Sequence, residues 1–184
     1  MRYFTMIFAI LILFFVYGCS DDSSGPGEMD DLGEATLSVS GDIDINHTGQ
    51  ADFWSMQFSG LNTWEIHMND FNPQTFSLTF LLTSLDAIER PGTGTYELNE
   101  ADGFSVIYEF IENQDFQNAR EFSNTFCDNS DNGTLTISSS SDSEIRGSFN
   151  TTISEYDIDD AGQCVNLGTV TVSGNFRATP RMGL

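Results

Sequence analysis

Val170-Thr171-Val172-Ser173-Gly174-Asn175-Phe176 places apolar side chains at alternate positions and breaks the rhythm with a glycine. A period of two belongs to a strand with one face in a core and the other in water. Near the other end of the chain, Leu37-Ser38-Val39-Ser40-Gly41-Asp42-Ile43 repeats both the rhythm and the break. Glycine inside a strand marks a bulge or sharp bend. Two bent strands from opposite ends of a chain, if they pair, close a barrel.

The same alternation runs through Trp64, Ile66 and Met68, through Phe76, Leu78 and Phe80, and through Phe104, Val106 and Tyr108. It returns at Leu135 and Ile137 and again from Ile145 through Phe149 and Thr151 to Ile153. Between these runs lie clusters of turn formers, among them Pro91-Gly92-Thr93-Gly94 and Asp128 to Gly133. Short strands so punctuated predict an all-β fold, either an antiparallel β-sandwich or a flattened β-barrel. Short loop helices are expected only at Ser84 to Glu89 and Glu112 to Phe122. The stretch 33–184 is long enough for one domain with a proper core and too short for two.

Upstream, Met1-Arg2 is followed by an apolar run from Phe4 to Val16 and then by Tyr17-Gly18-Cys19. The run falls short of the roughly 20 residues that span a bilayer as a helix. It resembles a bacterial lipoprotein signal peptide over 1–18, with Val16 and Gly18 in the lipobox and Cys19 as the lipidated residue. Tyr17 is larger than that pattern usually carries. Residues 19–32, polar and acidic, read as a flexible tether. Ser20 and the acids after it resemble the signal that sends Bacteroidota lipoproteins to the outer membrane.

Four phrases in the C-terminal half, Gly94-Thr95-Tyr96-Glu97-Leu98, Gly133-Thr134-Leu135-Thr136-Ile137, Ile145-Arg146-Gly147-Ser148-Phe149 and the opening stretch, are similar in order to those of β-rich Bacteroidota lipoproteins of unknown function. The resemblance implies an all-β fold and a lipid-anchored place in the outer membrane, on its periplasmic or cell-surface face. It brings no functional residues with it.

Lipidation of Cys19 leaves Cys127 and Cys164 as an even pair in an oxidising compartment, so a disulfide is the economical assignment. Free thiols and a metal site are the alternatives, the latter short of nearby ligands. The chain has 28 acidic residues against 6 basic, a net charge of −22, and every basic residue is arginine. Such a surface repels nucleic acid and anionic headgroups. Its only membrane contact is expected through the N-terminal lipid.

Calcium is the cofactor an acidic chain invites. Asp128-Asn129-Ser130-Asp131-Asn132-Gly133 carries oxygen ligands at alternate positions before a glycine, yet Ser139 stands where a calcium loop places glutamate. Asn132-Gly133 also suits a tight hairpin. A disulfide would bring Asp157 and Asp159 toward Asp128 and Asp131, making a joint site conceivable. Catalysis finds no motif: His47 and His67 are the only histidines, the first expected near a strand end and partly buried, the second facing solvent. Trp54, Trp64 and Tyr96 could form a platform for sugar rings. In Phe53-Trp54-Ser55-Met56-Gln57-Phe58 both parities carry large apolar groups, so one side must meet a second layer, a ligand or a partner. The expectation is a non-catalytic binding or structural module of the cell envelope whose partner is an envelope protein, glycan or small molecule. A lipocalin-like barrel holding a small apolar ligand is the first rival, a weak envelope hydrolase the second.

Overall fold

β-branched and aromatic residues at alternate positions make the strands, and register decides what they enclose. The structure, a computed structural model, describes residues 32–70, 74–86, 88–98, 103–125, 127 and 133–181, with the side chain of Phe58 left out. The signal-peptide, lipidation and tether assignments therefore lie outside the described residues, apart from Leu32 at the tether's end.

Among the described residues ten strands run in order: β1 (Glu34–Gly41), β2 (Ile45–Phe58), β3 (Leu61–Asn69), β4 (Phe76–Ser84), β5 (Gly94–Glu97), β6 (Ser105–Phe110), β7 (Arg120–Ser123), β8 (Gly133–Ser140), β9 (Ile145–Ile158) and β10 (Cys164–Pro180). They form one sheet in which β1, β2, β3, β4, β6, β7, β9 and β10 close a ring, while β8 and β5 branch from β9. Pairing is antiparallel except where the end of β10 runs parallel to β2, at Thr179 opposite Asp52 and Pro180 opposite Phe53. The shortest pairing in the ring is that of β7 with β9, which meet at Ser123 and Ser154. Beside that junction β8 takes the same edge of β9, from Gly133 opposite Thr151 to Ser140 opposite Ile145.

The first and last strands do pair, with Val39 opposite Val172 and Leu37 opposite Gly174. Their two glycines serve different ends. Gly41 closes β1 at φ +119°, a conformation closed to most other residues, and Ile43 sits in the turn that follows rather than in the strand. Gly174 instead makes room: a Cβ there would stand 2.8 Å from the Phe149 ring and 2.1 Å from the carbonyl oxygen of Thr36. Phe149 lies directly across from Gly174, and Phe176 across from Gly147, so each ring fills the space that the facing glycine leaves.

Inside the ring Phe76, Phe80, Phe104, Tyr108 and Phe122 are all fully buried. Phe80 and Phe149 approach to 5.1 Å between ring centres, Tyr108 and Phe122 to 6.1 Å. One end of the ring is crossed by the segment linking β4 to β5. There Ile88 accepts a hydrogen bond from Trp64 Nε1, Pro91 accepts one from Ser140, and Arg90 pairs with Asp142.

The loop helices are shorter than expected. Glu112–Gln114 and Phe116–Asn118 are 3₁₀ turns, and Phe122 belongs to β7 and the core. Leu85 and Asp86 form a bend, not a helical turn. A disulfide joins Cys127 to Cys164, the first residue of β10, with Cα atoms 6.1 Å apart.

Candidate functional site

Alternation along β2 turns Gln50, Asp52 and Trp54 outward, and along β3 it does the same for Glu65, His67 and Asn69. Register sets them in pairs: Gln50 with Asn69, Asp52 with His67, Trp54 with Glu65. The parallel end of β10 then delivers a cation. The Arg181 backbone N–H donates to Phe53 oxygen at 3.0 Å, and its side chain folds back across this outer face. Its guanidinium stands 2.8 Å from Asp52, 3.7 Å from Glu65, and 4.6 Å above the Trp54 ring.

Arg181 Nη2 also donates to His67 Nδ1 at 3.1 Å. Because guanidinium can only donate, Nδ1 must be the acceptor, and the ring proton of the neutral imidazole sits on Nε2, 3.3 Å from Ser77 Oγ. Burial pushes the His67 pKa down, Asp52 opposes this, and Arg181 adds to it. A neutral histidine that gives its proton toward a serine cannot take that serine's proton. The Ser77, His67, Arg181, Asp52 chain thus has the opposite polarity to a hydrolase triad. His67 is half-buried rather than solvent-facing as expected, because Arg181 covers it.

Beside this cluster lies a cleft of about 520 Å³, bounded by Leu32, Gln50, Asp52, His67, Asn69 and the 179–181 segment. Asn69 is 5 % exposed. Its side-chain amide and that of Gln50 make no hydrogen bond among the described residues. Neither residue stood out in the sequence; only their outward parity on adjoining strands pointed to them.

The three predicted aromatics do not form one platform. Trp64 turns inward, 5.9 Å from Phe53, with its indole N–H on Ile88. Tyr96 packs edge-on against Phe104 at 5.4 Å and donates to Gly92 oxygen. Trp54 alone lies outside, under Arg181, its Nε1 buried and without a hydrogen-bond partner among the described residues. Of the predicted calcium ligands, Asp128 and Asp131 lie outside the described residues. Asp159 Oδ1 accepts the backbone N–H groups of Ala161 and Gln163, and Asp157 Oδ1 accepts that of Ile158, so both organise the β9–β10 turn. Among the described residues no three His, Cys, Asp or Glu side chains gather as a metal centre requires. His47 is buried inside the ring, 2.9 Å from Tyr108 hydroxyl and 4.4 Å between centres from Phe76. Burial lowers its pKa, with Asp70 pulling the other way.

A second feature covers the outside of β1, β10, β9 and β8. One row across the strands reads Thr48, Thr36, Asn175, Ser148, Thr136 and Thr95. The next reads Asn46, Ser38, Ser173, Asn150 and Thr134, ending at Glu97 on the edge strand. A third holds Ser40, Thr171 and Thr152, the two threonines hydrogen-bonded at 3.0 Å. Glu97 is the single charge in these rows, although 28 of the 184 residues are acidic. Two shallow clefts open onto the first two rows beside β1, one flanked by Arg146 and Arg177.

No protein-family model, curated protein or solved structure matches this chain.

Proposed function

We propose that this chain is a lipid-anchored protein of the outer-membrane envelope, held through Cys19 and an acidic tether, whose β-domain is a non-catalytic binding module. The observation that carries the reading is the uncharged outer face. Covering a charged group with a partner costs free energy unless the charge is matched, and interface cores are accordingly depleted of charge. A hydroxyl- and amide-bearing face spanning several strands, on a chain of net charge −22, suits an uncharged hydrogen-bonding partner. Phenylalanine rings packed through the ring's interior weigh against an apolar ligand held there, and the His67 tautomer weighs against the hydrolase.

The test uses the full chain with its own leader. Cys19→Ser should shift the protein from the membrane to the soluble fraction and abolish labelling by a radioactive fatty acid. Asn150→Asp and Ser173→Asp should weaken retention of the detergent-extracted protein on purified outer membranes while leaving its melting temperature unchanged. Membrane retention of the Cys19→Ser chain would remove the anchor from the proposal. Undiminished binding by both charged variants would remove the face.

A further inference from the structure

We infer that the cleft between β2, β3 and the end of β10 is a binding site for a neutral saccharide. Its volume of about 520 Å³ falls within the range of small-molecule sites. Asn69 is the central observation. Asn69 is 5 % exposed as a whole, yet its amide is not a buried orphaned group, so the little surface it keeps is polar and opens to the cleft. The Asn69 amide makes no hydrogen bond among the described residues. Gln50, directly across the β2–β3 ladder, brings a second unpartnered amide to the same wall.

The groups present select the ligand class. Each amide offers a donor and an acceptor side by side, which matches hydroxyl groups that both give and take hydrogen bonds. Leu32 and Pro180 add apolar surface to the lining, suited to the C–H face of a pyranose ring. Charge argues against an anion: Arg181 is already engaged by Asp52 and Glu65, and His67 is neutral, so carboxylates outnumber cations around the cleft. A free cation is disfavoured in turn because the Asp52 oxygen nearest Arg181 already accepts from both Nε and Nη2. This inference does not rest on the uncharged face of β1 and β8–β10, and the two separate experimentally.

Calorimetric titration of the full chain in a sugar-free detergent, against methyl glucoside, N-acetylglucosamine and glucuronate, tests it. At least one neutral saccharide should bind saturably at millimolar concentration and more tightly than glucuronate. Asn69→Leu and Gln50→Leu should each weaken that binding about tenfold, the effect of one lost hydrogen bond. Asn69→Leu should melt close to wild type, since the amide makes no hydrogen bond among the described residues. Asn150→Asp, on the uncharged face, should leave the titration unchanged. Absence of saturable heat with both neutral sugars, preference for glucuronate, or equal binding by the leucine variants overturns the site. Should Asn69→Leu fail to fold, the more exposed Gln50→Leu decides alone.

Discussion

Arg181 reaches Asp52 across 129 positions of sequence and there fixes the tautomer of His67 and covers Trp54. Trp54 carries an orphaned buried N–H, so Trp54→Phe should be neutral or stabilise by up to about 1 kcal/mol, read by urea denaturation. Trp54→Ala, which removes the ring beneath the cation, should cost about 1 to 2 kcal/mol. Both histidines have pKa values lowered below 6.5 by burial, so between that value and the folded pKa the unfolded chain binds more protons. Stability from this source is complete above about pH 6.5 and is lost as pH falls toward the folded values. Melting curves from pH 7.5 to 5 should show the decline, and His67→Gln, which keeps an acceptor for Arg181, should flatten it. A slope unchanged in that variant would assign the decline to other groups. None of this was legible in local sequence: the parity of His67 correctly placed it on the outer face, but nothing near it announced the arginine that covers it.

At the scale of elements, alternation located most of the strands because it is a local property of the chain. The kinship of the β1 and β10 phrases was legible too, and they pair in register. Less was visible where one strand serves two neighbours. β9 gives one edge to both β7 and β8, and nothing in the alternation along it marks where one partner gives way to the other. Trp64 followed its parity into the core, whereas the mixed parity around Trp54 left open which side faced out until β10 supplied the cover. Gly174→Ala should cost about 1 to 3 kcal/mol, because Phe149 and the Thr36 carbonyl already occupy the space its methyl group needs. The Cys127–Cys164 bond closes a separation of 37 residues. On chain-entropy grounds its removal by Cys127→Ala with Cys164→Ala should cost roughly 4 kcal/mol, less whatever structure the unfolded state retains. An unchanged melting temperature would show that the β9–β10 hairpin holds without it.

For the molecule as a whole, a net charge of −22 means that folding concentrates like charges. Raising salt from about 0.01 M to about 0.15 M shortens the screening length from about 30 Å to about 8 Å. The melting temperature should therefore rise with sodium chloride. A fall would mean that ion pairs such as Arg120–Glu155 and Arg181–Asp52 outweigh the repulsion. The uncharged face could not be seen along the chain, since its serines, threonines and asparagines alternate with inward-facing residues on each strand and assemble only across strands.

The closing of the ring by its last strand also orders events in time. β10 supplies an edge to β9 and to β1, so a chain still lacking residues 164–180 leaves its earliest strand and its longest hairpin half-paired. Contacts this distant in sequence form late and slowly. The ring therefore cannot lock until its final strand is in place, and the lock, once made, fastens the beginning of the domain to its end.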